Sequence, residues 1–454
     1  MNIIEKVFPL TTNVTSQGKL QIGGCDIETL ATKYETPFYV FDTAHIENIC
    51  DEYTNEFNNL YDNTQVVYGS KAFGNKSIFK IILEKGLGAD VVSGGELALA
   101  IESGISPDKI YFHGNNKTPV ELELAQEAGL TKIVVDGFYE LELLNSLSKK
   151  NGIVQDIIIR LSPAIELDER THKYTTTGIL DSKFGFAIDN GDAEKAINMI
   201  SDYSNLNLIG VHFHLGSPLF STKPYELGIR KVAEFISKFD NFELREFSPG
   251  GGFAVSYTRE DDPPKVKEYA AVICNTMKEV ISEYSLPKPK LVIEPGRAIA
   301  GPAGVAIYTV WAIKNIENVR KFISVDGGMG DNIRPALYGS NYEAIVVNRL
   351  WDERPKEKVT IVGKYCESGD ILVKDIELPE IKSGDLIAIP VSGAYSTSMA
   401  SNYNMNPRPE IIALKDGMDM TIRKRETFAD LFKMDVWTWI RQIIDYLIWV
   451  FKIL

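Results

Sequence analysis

The stretch QVVYGSKAFGNKSIFKIILEKGLGADVVSGGELALAIESG (65–104) decides how the whole chain is read. Two short apolar, β-branched runs, QVVYGSKA from Gln65 and GADVVSGG from Gly88, each give way to a segment with helical periodicity, SIFKIILEKG and then ELALAIESG. Short apolar runs fit buried strands, and apolar residues three and four apart fit the inward face of a helix. The unit then repeats in IYFHGNN from Ile110, KIVVDG from Lys132, DIIIRLSP from Asp156, LIGVHFHLG from Leu208, EFSPGGG from Glu246 and KLVIEPGR from Lys290. Helical patterns such as VELELAQEAG and VKEYAAVICNTMKEVISEY lie between them. Alternation of this kind predicts a parallel sheet, and eight strands predict an α/β chain with a (β/α)8 TIM barrel over residues 41–300.

In such a barrel the residues just after each strand face the active site. Here those positions carry Lys71, Ser93, His113, Asp136, Arg160, His214, Gly250–Gly252 and Arg297. After about residue 300 the pattern changes. GVAIYTVWAI, KFISVDGG, EAIVVNRL, KVTIVG, DLIAIPVSG and EIIALKDG have no helices of similar length between them. They predict a C-terminal antiparallel β domain over 301–434, which strands in residues 1–40 are expected to join, followed by an apolar tail over 435–454.

The bulk properties narrow the function. With 454 residues, a net charge of -14 and a pI near 5.0, the chain would be repelled by a phosphate backbone, so no nucleic acid partner is expected. Cys25, Cys50, Cys274 and Cys366 are far apart, which suggests neither a zinc site nor a disulfide framework and fits reduced thiols in a cytoplasmic protein. Glu5 and Lys6 interrupt MNIIEKVFPL where a signal peptide needs an apolar core. The tail VWTWIRQIIDYLIWVFKIL (436–454) is broken by Arg441, Asp445 and Lys452, a poor fit to a transmembrane helix. It is expected to pack against protein; no function is assigned to it.

Individual residues add chemistry. Lys71 in YGSKAFGN emerges from an apolar strand, where burial would lower its pKa and favour a neutral amine able to form a Schiff base. SPGGGF (248–253) exposes backbone N–H groups to which a phosphate can come close. In EPGR (294–297) a buried Glu294 suits a pyridine nitrogen, and Arg297 suits a carboxylate. In HFHLGS, His212 and His214 share a strand face; without a further ligand set, a ring stacked on a cofactor fits better than a metal, and no metal is expected. Cys366 in KYCESGD is a possible proton donor. Each feature alone has a plainer reading: a rim lysine, a tight turn, a structural ion pair, a core histidine, a small buried thiol.

Together, YGSKAFGN, ADVVSGGEL, FHGNNKT, THKYTTTGILDSKFG, HFHLGS, PGGGF, EPGR, GGMGDNIRPALYG, CESGD and GAYSTSMASNYN resemble the fold-type III pyridoxal-phosphate-dependent decarboxylases, and within them the diaminopimelate decarboxylase family. The resemblance runs from about residue 8 to residue 432. It implies pyridoxal 5'-phosphate as cofactor and decarboxylation of meso-2,6-diaminopimelate to L-lysine and CO2, the last step of lysine biosynthesis. It implies that Lys71 holds the cofactor covalently, His214 stacks on its ring and Glu294 faces its pyridine nitrogen. Ser217, Gly250, Gly251, Gly252, Gly296, Arg297 and Tyr395 match other cofactor-holding positions. Arg297, Arg334, Tyr338, Glu367 and Tyr395 match substrate-binding ones, with cations for the distal carboxylate and an anion for the distal ammonium. Cys366 matches the proton donor, on a loop that the family takes from a second subunit, so a homodimer with shared sites is implied. Pro218 stands where the family usually has Gln, AFGN follows Lys71, and the tail after Met434 runs past the family's usual end.

Ornithine and arginine decarboxylases would leave Arg297 and Arg334 without a carboxylate to bind, whereas a carboxynorspermidine decarboxylase is harder to separate. Alanine racemases place an arginine at the pyridine nitrogen, which Glu294 opposes. A catalytically inactive regulator on the same scaffold should have lost Lys71 or Cys366.

Overall fold

A computed structural model describes residues 3–165, 182–240, 242–350, 355–436, 445 and 447–450. His172, most of THKYTTTGILDSKFG and most of the apolar tail lie outside the described residues.

The chain starts with three short strands, β1 (Asn13–Val14), β2 (Leu20–Ile22) and β3 (Cys25–Asp26), which form a small antiparallel sheet of their own. β4 (Phe38–Asp42) follows, fully buried along its length. Then come β5 (Thr64–Gly69), β6 (Gly88–Val91), β7 (Ile110–Phe112), β8 (Ile133–Val135), β9 (Gln155–Ser162), the two-residue β10 (Phe186–Ala187), β11 (Leu206–His212), β12 (Glu246–Gly250) and β13 (Lys290–Ile293). All of these pair in parallel: β10 lies beside β9, and the other eight follow in the order β9-β11-β12-β13-β5-β6-β7-β8, with β8 pairing again with β9. The sheet is therefore a closed eight-stranded barrel, with each strand at its expected place.

Strand alternation explains the packing. Val67, Tyr111, Val134, Ile158, Ile209 and Val292 form a separate cluster inside the barrel, while their chain neighbours such as Val66, Tyr68, Ile110 and Phe112 face the helices. At the same level Glu246 accepts a 2.7 Å hydrogen bond from the Tyr111 hydroxyl and lies 3.3 Å from Lys290. Helix starts are capped as the sequence allows: Ser93 accepts from Glu96 N, and Thr118 with Glu121 forms a capping box.

The second domain comprises β14 (Gly304–Ile316), β15 (Arg320–Val325), β16 (Ile345–Val346), β17 (Lys356–Val362), β18 (Ile371–Pro379), β19 (Leu386–Ile389), β20 (Glu410–Lys415) and β21 (Met418–Arg423). Its sheet is mixed, where the sequence suggested antiparallel. β14 runs antiparallel to β15, β19 and β4, but β15–β17 and β4–β20 are parallel. Parallel partners cannot be joined by a tight turn, and these two pairs are distant in sequence, so no local signal marks them. Of the first forty residues, β4 enters this sheet, crossing the expected boundary at 40, whereas β1–β3 stay apart and touch it through a 2.7 Å bond from Gly417 N to Gly23 O.

Among the described residues no helix is long and apolar enough to cross a membrane. In the described part of the tail, Leu447, Ile448 and Trp449 are 45%, 49% and 60% exposed, and the expected packing of the tail against protein falls mostly outside the described residues.

Candidate active site

The C-terminal ends of the barrel strands open into a cavity of about 670 Å³. At its floor, β12 supplies Ser248, β11 supplies His212, and Glu294 follows β13. Ser248 Oγ donates to Glu294 Oε1 at 2.7 Å, and His212 Nε2 lies 3.0 Å from Oε2. Burial alone would raise the Glu294 pKa, but the adjacent His212 ring and the hydrogen bonds with His212 and Ser248 outweigh it, and the carboxyl is held below the usual range. An ionised carboxylate is thus fixed at the bottom of the cavity.

His113, at the end of β7, adds its Nε2 at 3.7 Å from Glu294 Oε1 and 3.8 Å from Asp90 Oδ1. Burial pushes its pKa well below the usual imidazole value, so the ring is neutral. Asp90 on β6 is raised to about 8, first by burial and then by repulsion from Glu294. His113 Nε2 and Asp90 Oδ1 are both buried with no hydrogen-bond partner among the described residues. Arg160, ending an apolar run on β9, lies 3.6 Å from Asp136 and lines the same wall.

Lys71 lies on a single 3-10 turn, Ser70–Ala72, directly after β5. The sequence placed it in a buried setting with a lowered pKa; the structure shows an exposed residue at the cavity wall. The turn takes Lys71 off the buried strand. Its charge is felt at His214, which burial and then Lys71 push well below the normal imidazole pKa. His214 lines the cavity, and its Nδ1 accepts from Gly251 N at 3.2 Å.

That bond revises the reading of the glycine run. Gly251 N is engaged by His214, and Gly250 N donates to Ser248 Oγ at 3.1 Å, so two of the three N–H groups have partners within the chain. The glycines are required by close approach: a Cβ at Gly251 would meet Glu294 O at 2.1 Å, and one at Gly252 (φ +107) would meet Gly216 O at 2.3 Å. Gly296 likewise packs against Gly69.

Part of the lining is cationic. Arg297 donates to Tyr257 Oη at 2.7 Å and to Ser217 Oγ at 3.2 Å. Arg334 donates to Tyr342 Oη at 3.0 Å and to Ser340 Oγ at 3.1 Å. Their guanidinium carbons lie 4.8 and 5.7 Å from the Tyr395 ring centre, and that of Arg334 is 5.5 Å from the Tyr338 ring. Burial would raise the Tyr257 pKa, but Arg297 and Arg334 outweigh it and bring it down.

Cys366 and Glu367 are not brought to this cavity. Both are exposed on the loop after β17, and neither lines the wall. The loop is held by Asn404 Oδ1, which accepts from Cys366 N at 2.9 Å, and it projects to solvent. The charged set of Arg297, Arg334 and Glu367 expected from the resemblance is therefore split within one chain. Arg160 stands at a strand end that the sequence aimed at the site, with no role assigned to it, whereas sequence reasoning passed over Asp90 and Tyr257. A lone charge inside an apolar strand, as in GADVV, is costly to bury without a purpose and was the available signal for Asp90. Tyr257 sits on a loop and carried none.

These residues fit pyridoxal phosphate. The wall offers an accessible amine, the floor an ionised carboxylate and unsatisfied polar atoms, and the volume is typical of small-molecule sites, about 300–1,000 Å³. A (β/α)8 barrel with this site, followed by a β domain, defines a fold-type III pyridoxal-phosphate-dependent decarboxylase. Residues 43–301 match the family model for the pyridoxal binding domain of pyridoxal-dependent decarboxylases. Diaminopimelate decarboxylase of Bacillus subtilis (strain 168) is 43% identical over 429 residues, covering 94% of this chain and 97% of the relative. Its counterpart in Mycobacterium tuberculosis (strain ATCC 25618 / H37Rv) is 37% identical over 448 residues, covering 96% and 99%. The crystal structure of diaminopimelate decarboxylase from M. jannaschii in complex with L-lysine matches at a TM-score of 0.88 and 35% identity, covering 94% of this chain and 98% of that one. The chain belongs to the diaminopimelate decarboxylase family.

Proposed function

We propose that this chain decarboxylates meso-2,6-diaminopimelate to L-lysine and CO2, the last step of lysine biosynthesis, in the cytoplasm. The observation that carries the substrate is the arginine pair in the cavity lining: two buried guanidinium groups suit a substrate with a carboxylate at its far end. The solved relatives from M. jannaschii and Helicobacter pylori that hold L-lysine support the product.

Pyridoxal phosphate, when bound, supplies the electron sink that makes loss of CO2 possible. The chain's residues do the rest. Lys71 would supply the amine that holds the cofactor. Glu294 would hold a proton at the pyridine nitrogen, and Ser248 and His212 keep Glu294 charged and aimed. His214, with its neutral ring, and Ser217, Gly250–Gly252, Gly296, Arg297 and Tyr395 would hold the cofactor in place. Arg297, Arg334, Tyr338 and Tyr395 orient the substrate, which places the bond to be broken.

Cys366 delivers the proton that replaces CO2, and Glu367 meets the distal ammonium. Both come from a second copy of the chain, in a homodimer with shared sites. Their exposed position, away from the cavity of their own chain, supports this reading. We also read residues 41–300 as the cofactor-binding barrel, 301–434 as the β domain and 435–454 as a separate tail. The test is CO2 release from meso-diaminopimelate with added pyridoxal phosphate, beside L-ornithine, L-arginine and carboxynorspermidine. Turnover of diaminopimelate alone is expected; turnover of a polyamine precursor in its place would overturn the roles given to Arg297, Arg334 and Glu367.

A further inference from the structure

Three side chains from three separate barrel strands converge on the cavity floor: His113 after β7, His212 at the end of β11 and Glu294 after β13. One nitrogen or oxygen of each lies within 4.8 Å of the others, and all three residues are buried. His212 Nε2 is 3.0 Å from Glu294 Oε2, and His113 Nε2 is 3.7 Å from Oε1. A tetrahedral zinc ion with bonds of about 2.1 Å needs its donors about 3.4 Å apart. The gaps from the two histidines to the carboxylate oxygens bracket that spacing, and no two donors of the set are more than 4.8 Å apart.

A second observation points the same way. His113 Nε2 is buried and has no hydrogen-bond partner among the described residues, although burial makes an unsatisfied polar atom costly. It is aimed at the other two donors. Ser248 Oγ holds the Glu294 carboxylate from behind, the outer support that ligating carboxylates commonly have. Asp90, 3.8 Å from His113 Nε2, adds a further acidic group. The three donors line the cavity, which leaves a coordination position open to it. Two imidazoles, one carboxylate and an open position make a ligand set suited to zinc among divalent ions.

We propose that, without its cofactor, the protein binds one divalent transition-metal ion, zinc being the best match, through His113, His212 and Glu294, and that this ion and pyridoxal phosphate exclude one another. Ion binding stands on the geometry alone. The exclusion rests on the reading of Glu294 as the partner of the pyridine nitrogen: the carboxylate cannot serve both. The cluster then acts as a gate on cofactor loading, closed by free zinc.

The experiment uses full-length protein freed of cofactor. Zinc is titrated against a chromophoric chelator, and pyridoxal phosphate uptake is followed by its visible absorbance with and without zinc. One zinc per chain is expected. His113→Gln and His212→Gln should each weaken it by more than the roughly 10–100-fold that losing an outer-shell partner costs. Cys366→Ser, which removes the exposed thiol, should leave it unchanged. Zinc-loaded protein should take up the cofactor only after chelator is added. Absence of zinc binding, or binding that both histidine variants retain while still taking up cofactor, would overturn the site; zinc and cofactor held together would overturn the exclusion. Failure of the zinc-free protein to take up pyridoxal phosphate would strike instead at the proposed function, leaving the zinc titration to decide the site.

Discussion

At the floor of the cavity, Glu294 is held by Ser248 and His212 at 2.7 and 3.0 Å, all from neighbouring strands of one chain. Away from that cavity, Cys366 and Glu367 stand exposed on a loop that does not reach its wall. The groups that tune the cofactor are built on rigid barrel strands, where position is fixed by sheet pairing. Those assigned to the proton and the distal ammonium sit on a loop, where they can be contributed by another copy.

This contrast can be tested from its strongest point downward. Lys71→Ala should lower CO2 release by on the order of a thousandfold or more, since it removes the amine that the covalent chemistry needs. A near-normal rate would remove the floor from the argument altogether. Glu294→Gln keeps the shape and the Ser248 bond but loses the charge; a loss in kcat on the order of a hundredfold is expected from removing one preorganised electrostatic partner. The comparison sharpens if the same change leaves the KM for diaminopimelate within a few-fold, because the arginine wall is untouched.

Mixing tests the loop. Lys71→Ala and Cys366→Ala chains are each expected to be nearly inactive. Co-expressed, they should recover roughly a quarter of wild-type activity, because half of the dimers are mixed and each of those holds one intact site. Activity that stays at the level of the single variants would break the idea of a shared site.

The smallest effect concerns pH. The Asp90 carboxyl is raised to about 8 in the fold, against about 3.9 when unfolded, so its protonated form is the one that the fold favours. That contribution to stability is present below about pH 4 and is lost as pH rises through 8. Asp90→Asn should therefore flatten the fall in melting temperature of the cofactor-free protein between pH 6 and 8. Parallel melting curves for the two proteins would show that Asp90 is charged throughout.

The barrel was legible because its signal is local. Each of the eight strands is a short apolar run, and chain order dictates neighbours in a (β/α)8 sheet. The floor was half legible. Lys71, His214, Glu294 and Arg297 follow their strands, but the meeting of His113 with His212 and Glu294 depends on three strands closing into a ring, which no single stretch of sequence states. The burial of Lys71 was misread because one turn, Ser70–Ala72, takes the residue off the buried strand. The mixed sheet was misread because pairings such as β4–β20 join segments at opposite ends of the chain.

That last pairing also affects how the protein emerges from the ribosome. β4, residues 38–42, lies between β14 and β20, and its parallel partner β20 starts some 370 residues later. At about 5–20 residues per second, translation leaves β4 waiting roughly 20–70 seconds for that edge to be covered. During that time the barrel strands can close, while a fully apolar-faced strand stays open to wrong partners. The nascent chain thus has a built-in interval in which a holding chaperone has something to hold.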